Sequence, residues 1–270
     1  MNRPLTLRPN PAWWEFVRAS ARRATAFRLD MFFSVISMAV QIFVLRTVWD
    51  AVYDGRSDVD GVSTHTLLVY ITISTVGSWF LPYNTGDFIQ ERIRSGDIAL
   101  DLVRPFHVLK QVSCQAVGQG LGYASCLIFV LPMAALVGSL DPPSPPYLVL
   151  YLVSYALAFL VSVEIGLITG MFAFWMQESN GVRIAVMIIG NVLSGAMVPL
   201  WLMPDALRFV VQLLPFQAMD FLPASIYSGH VTGFDAVEPL GIQLIWIGIL
   251  YCLVRWMWIR AQRRIVIHGG

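Results

Sequence analysis

What most limits the fold of this chain is a set of six apolar stretches, at residues 31–52, 67–86, 116–140, 148–174, 182–202 and 240–258. A helix rises 1.5 Å per residue and the hydrocarbon core of a bilayer is ~30 Å thick, so a crossing takes about 20 mostly apolar residues. Each stretch is long enough to cross, and together they use about half of the 270 residues, the rest being divided among short tails and connections, none of which has the length of a soluble domain. Composition agrees: 13% of the residues are charged, against roughly 25% in a soluble domain. The expected fold is therefore an all-α polytopic membrane protein with six transmembrane helices. The apolar run after Asp30 starts too late for a secretory signal and lacks a small-residue cleavage pattern, so it reads as a retained first span.

Alternation of the spans sorts the basic residues onto two faces. Arg3, Arg8, Arg18, Arg22, Arg23 and Arg28 precede the first span, and Arg92, Arg94, Arg104 and Lys110 fall between the second and third. Arg183 and then Arg255, Arg260, Arg263 and Arg264 lie on the same side, which puts fifteen of the 18 basic residues there and leaves Arg46, Arg56 and Arg208 opposite. The positive-inside bias predicts that both ends are cytoplasmic. The opposite face carries Asp50, Asp54, Asp58 and Asp60, then Asp141 with Pro142, Pro143, Pro145 and Pro146, a composition of tight outer turns. The formal net charge of +1 averages two unlike faces and points to no nucleic-acid partner.

Three regions flank or join the spans: residues 1–30 as tail and interfacial helix, 31–258 as the transmembrane domain, and 259–270 as a second tail. In the first, Trp13, Phe16, Val17, Ser20, Ala24, Phe27 and Met31 form a helical stripe from which Arg18 and Arg22 point away. This is the pattern of a helix lying in the membrane interface, the alternative being an Arg-rich tail that only sets topology. Residues 203–238 are too long for a simple outer turn and half apolar, broken by Pro204, Pro215 and Pro223. They predict one or two short helices that re-enter the outer leaflet or pack over the spans. Backbone at such depth must be sheltered, because lipid satisfies no N–H or C=O group.

The chemistry-bearing segment lies within residues 87–110, where Glu91, Arg92, Arg94, Ser95, Gly96, Asp97, Asp101, Arg104 and Pro105 are concentrated. Ser95-Gly96-Asp97 can stop one helix and cap the next, and Pro105 ends the second within about two turns. One reading is a solvated loop with surface ion pairs worth roughly 0 to 1 kcal/mol each. The other starts from Ile98, Leu102 and Val103, which give the short helix an apolar side with no core of its own to bury it, so that a partner protein would cover it.

Elsewhere the sequence offers less. Cys114, Cys126 and Cys252 have neither disulfide context nor metal-ligand spacing. Gly118-Gln119-Gly120-Leu121-Gly122 has the wrong spacing for a nucleotide fingerprint. The four-residue spacing of Gly118 and Gly122, and of Gly166 and Gly170, instead suits close helix packing. Glu164 stands near the middle of the fourth stretch, where a carboxylate is either a cation or proton site on a transport path or a group hydrogen-bonded within the bundle. Gln41, Asn191 and Ser194 are milder cases on the same candidate path. The four histidines lack a paired nucleophile, which argues against hydrolase chemistry.

The run from Arg92 to Pro105, with the later Val198-Pro199-Leu200-Trp201, Leu214-Pro215-Phe216 and Pro223 to Gly229, resembles the membrane subunits of ABC-2-type ABC exporters. The resemblance runs in order through nearly the whole chain. It implies the ABC-2 exporter fold with a cytoplasmic coupling helix within 87–110, a pathway shared with a second permease, identical or homologous, and a bacterial plasma-membrane location. It also implies a dimeric cytoplasmic ATPase that binds ATP and Mg, with no cofactor on this chain. The sequence agrees independently, because its only lysine, Lys110, follows Val108-Leu109 and cannot serve a P-loop. The competing functions are a membrane assembly protein and an intramembrane lipid-modifying enzyme. The latter would require several polar groups at one depth.

Overall fold

The computed structural model describes residues 12–268 except 27, 57, 60, 104–106 and 177–179. Four of its helices are long and apolar enough to cross a membrane, and two bent helix pairs raise the number to six. The architecture is that of an all-α polytopic membrane protein.

Helix α1 (Ala12–Ala26) leads into α2 (Arg28–Tyr53), whose 26 residues reach about 39 Å. Asp54 and Gly55 then turn with positive φ into a two-residue hairpin, β1 (Asp58–Val59) and β2 (Val62–Ser63). Ser63 starts α3 (Thr64–Phe80) by accepting a hydrogen bond on Oγ from the Thr66 N–H at 3.1 Å. Every residue of α3 from Val69 to Gly77 is buried, as befits the central helix of the bundle. The chain breaks at Leu81-Pro82 and resumes as α4 (Thr85–Arg94) and the short α5 (Ile98–Val103).

The expected third span is a bent pair. Helices α6 (Val108–Ala124) and α7 (Leu127–Val137) meet at 59°. The bend falls where the Ser125 Oγ bonds the Gly122 carbonyl at 2.7 Å. At the far end of α7, Arg46 from α2 donates to the carbonyls of Val137 and Gly138 at 3.0 and 3.1 Å, a cation on a helix C-terminus.

Helix α8 (Pro145–Met171) opens on two prolines, whose missing N–H groups cost nothing in a first turn. Helix α9 (Asn180–Leu193) is shorter than the stretch 182–202 predicted. Its 14 residues reach only about 21 Å, because Gly195, with a φ of +83°, turns the chain away. Residues 203–238 then form α10 (Asp205–Gln212) and α11 (Phe221–Tyr227) on either side of a 3-10 turn at Pro215–Ala218, the two limbs meeting at 74°. Helix α12 (Glu238–His268) does not stop near residue 258; its 31 residues, about 46 Å, carry the helix through the stretch expected to be a tail.

Carbonyls left free by the bends of this region are satisfied by polar side chains. Arg208 donates to the carbonyls of Leu200, Trp201 and Met203 at 2.8 to 3.0 Å. Tyr70, fully buried in α3, donates to the Gly195 carbonyl at 2.8 Å. Gln243 of α12, also fully buried, donates to the carbonyls of Ala218 at 2.8 Å and Ser154 at 3.0 Å, while its own oxygen accepts from Ser154 Oγ at 2.9 Å.

Both glycine pairs are contact points. Cβ atoms on Gly118 and Gly122 would meet Ser20 Cβ at 2.8 Å and Ala24 Cβ at 2.7 Å, so α1 lies directly across α6. This splits the expected interfacial stripe: Val17 is buried and Ser20 donates to the Gln115 carbonyl at 2.7 Å, whereas Trp13 remains exposed. Phe27 lies outside the described residues. Gly166 and Gly170 on α8 receive Gly86 of α4, with only 2.6 Å between a Cβ on Gly170 and the Gly86 Cα.

Candidate functional site

Two features of this fold carry chemistry, a helical hairpin formed by α4 and α5 and a cleft beside it. In the hairpin, Gly96 adopts a φ of +78°, which lets the chain reverse over Ser95-Gly96-Asp97. Ser95 Oγ donates to Asp97 Oδ2 at 2.9 Å. Arg92 then clamps the two helices: its Nε and one terminal nitrogen reach the two carboxylate oxygens of Asp101 at 2.6 and 2.7 Å, and the other terminal nitrogen reaches Asp97 at 3.3 Å. The Asp101 side chain has no exposure to solvent. This fork is not one of the weak exposed pairs that a solvated loop would carry, because its acceptor is removed from water and its geometry is bidentate.

The apolar side of α5 also differs from expectation. Ile98 is buried in the protein's own core with Ile89, Val108 and Val112, so that part of the helix needs no partner to cover it. The fold brings α4 and α6 over it, which linear spacing could not reveal. Leu100 instead projects outward, 63% exposed. Arg94 and Ser95 are exposed as well. Arg104 and Pro105, and the side chains of Leu102 and Val103, lie outside the described residues.

The cleft has a volume of about 750 Å³ and is bounded by α1, α2, the α3–α4 break, α6 and α9. Gln41, Asn191 and Glu91, far apart in sequence, all line it. Glu164 and Ser194 do not. Ser194 is buried at the end of α9, where its carbonyl accepts from the Phe221 N–H at 3.0 Å. Glu164 is 9% exposed on α8, and its Oε2 has no hydrogen-bond partner among the described residues. It thus faces the bundle rather than lipid, but without the polar partner a packing role would supply. In the isolated protein Glu164→Leu should therefore raise the thermal midpoint, since it removes a carboxylate whose burial is not repaid by hydrogen bonds. A lowered midpoint in a purified-protein melt would show that a partner for the carboxylate exists in the folded protein.

Behind the cleft wall lies a group that the linear reading passed over. Asp220, 2% exposed at the start of α11, accepts hydrogen bonds from Ser78 at 2.6 Å and Tyr83 at 3.2 Å, and both of these residues line the cleft. The available signal was an ionisable residue in the half-apolar stretch 203–238. Its Met-Asp-Phe-Leu-Pro setting names no partner, and only the bend of that segment places it against α3.

Residues 31–269 match the family model described as ABC-2 family transporter protein, which takes in all but the first turn of α2 and every helix after it. The chain belongs to the ABC-2 transporter family. As an ABC-2 permease it is a membrane component of a transport system, and its apolar helices, central cleft and hairpin are the parts available for that task. Helix α1 precedes the matched residues. No curated protein matches the chain.

Proposed function

We propose that this permease is the transmembrane subunit of an ATP-driven exporter, coupled to a separate cytoplasmic ATPase dimer and sharing its pathway with a second permease, identical or homologous. The observation that carries this reading is the mechanical continuity from hairpin to cleft. Leu81 to Thr85, Phe88 and Glu91 line the cleft, and the same helix ends in the Arg92 clamp that holds α5. A push on α5 would travel through α4 to the cleft wall, with the Gly86 contact on α8 as its fulcrum.

In this reading the ATPase docks on the outward face of α5, around Leu100 and Asp97, and ATP and Mg stay on the partner. Leu100→Asp should abolish copurification of the ATPase while leaving membrane insertion and the thermal midpoint of the permease unchanged. Retention of the ATPase by that variant would overturn the docking assignment. An assembly protein without transport activity would copurify with no ATPase even as the parent chain.

The basic residues support a plasma-membrane orientation in which both ends and the hairpin are cytoplasmic. A reporter that works only in the cytoplasm should be active when fused after Gly270. Activity confined to an external reporter would invert the topology and remove α5 from the reach of any ATPase.

A further inference from the structure

The Asp220 carboxylate is enclosed without a counter-charge. No basic side chain pairs with it among the described residues, and its partners are the hydroxyls of Ser78 and Tyr83, which line the cleft, and of Ser194, which does not. Each hydroxyl has a single proton. Ser78 Oγ also lies 2.9 Å from the Ser74 carbonyl, but the shorter, charge-assisted bond to Asp220 is the stronger claim on its proton. With both protons turned toward Asp220, the two oxygens can offer the cleft only lone pairs. Among the described residues the charged side chains lining the cleft are Arg23 and Glu91, which cancel formally, so that Asp220 adds a net negative charge to this set. Trp79, Phe80 and Phe88 supply apolar and aromatic wall beside these acceptors. The 750 Å³ volume lies within the ~300–1,000 Å³ of small-molecule sites.

We propose that the cleft is a binding site for an amphiphile bearing a protonated amine, whose N–H groups are received by the Ser78 and Tyr83 oxygens with Asp220 behind them as the counter-charge. An ammonium group has three donors and no acceptor, so it matches the corner of the wall where the Ser78 and Tyr83 oxygens offer only acceptors. An anion would meet lone pairs and a buried carboxylate. A neutral analogue would keep the apolar contacts and lose the charge. This identifies the substrate class of the cleft and rests on reading the cleft as part of the transport path.

The test uses the purified full chain in nanodiscs of zwitterionic phosphatidylcholine, so that anionic lipid does not gather the amine. Three probes are titrated by calorimetry: 1-naphthylmethylamine, its N-acetyl derivative and 1-naphthylacetate. The amine should bind at least about tenfold more tightly than the other two, the scale of one hydrogen bond to a charged group. Asp220→Asn should reduce its affinity to that of the acetyl derivative. Tyr83→Phe and Ser78→Ala, which leave the carboxylate in place, should each weaken the amine several-fold and leave the acetyl derivative unchanged. Equal affinities for the three probes, tighter binding of the acid, or no binding at all would overturn the proposal. If Asp220→Asn does not fold, an amine preference that survives intact in Tyr83→Phe and Ser78→Ala would overturn it equally. None of these results bears on ATPase copurification, so this site can fail while the exporter reading stands.

Discussion

Gly86→Ala should destabilise the permease by about 2 to 3 kcal/mol, and Gly86→Val should prevent α4 from seating on α8. A Cβ at Gly86 would lie 2.7 Å from the Gly170 nitrogen and 2.9 Å from its Cα, and closer still to the Gly166 carbonyl oxygen. All three obstacles are backbone atoms, so no rotamer change can relieve the clash and the helices must part. Separation would withdraw Ile89 from its core and shift the cleft wall formed by the same helix. The expected readouts are a lowered thermal midpoint for the alanine variant and loss of monodisperse protein for the valine variant. A Gly86→Val protein that melts with the parent would show that α4 does not rest on α8. Gly241→Ala and Gly248→Ala are the controls. Nothing lies within 4 Å of a Cβ at either position, so both should be neutral or stabilising by up to about 1 kcal/mol through helix propensity.

That contrast marks the limit of a spacing argument. The four-residue interval of Gly166 and Gly170 identifies a small-residue face on α8, and that of Gly118 and Gly122 does the same for α6. Neither interval names the partner. Gly86 stands alone in its segment, and only the fold shows that it completes a three-glycine contact with Gly166 and Gly170, or that α1 is what crosses α6.

Loss of the Arg92 clamp is expected to be the second large effect. Arg92→Met should destabilise the α4–α5 hairpin by about 3 kcal/mol, the scale on which a buried ion pair responds to removal of one member. Arg92→Lys should recover only part of this, because an ammonium cannot make the two parallel bonds that the guanidinium makes to Asp101. Hydrogen exchange over residues 95–103 is the direct measurement: protection there should collapse in Arg92→Met while α3 and α8 keep theirs. In the exporter reading the same variant would lose coupling between ATP hydrolysis and transport, because α5 would yield to a push before α4 moved. Unchanged protection across the hairpin would mean that the fork does not hold it, and the lever would then lack its rigid joint.

Membrane residence, helical class and the location of the charged hairpin follow from local quantities. Apolar length must match the hydrocarbon thickness, and Ser-Gly-Asp between two helical segments can hardly be anything but a turn. Those constraints act on contiguous residues and are visible in one dimension. The pairing of Arg92 with Asp101, the burial of Ile98, and the gathering of Gln41, Glu91 and Asn191 around one cleft depend on which helix faces meet. So does the bend between α10 and α11 that brings Asp220 against Ser78 and Tyr83. Spacing places a residue on a helix face, but only packing across distant segments chooses what that face touches. In a bilayer this choice is weakly written in the residues, because lipid is as apolar as a neighbouring helix and hydrophobicity alone cannot tell one from the other.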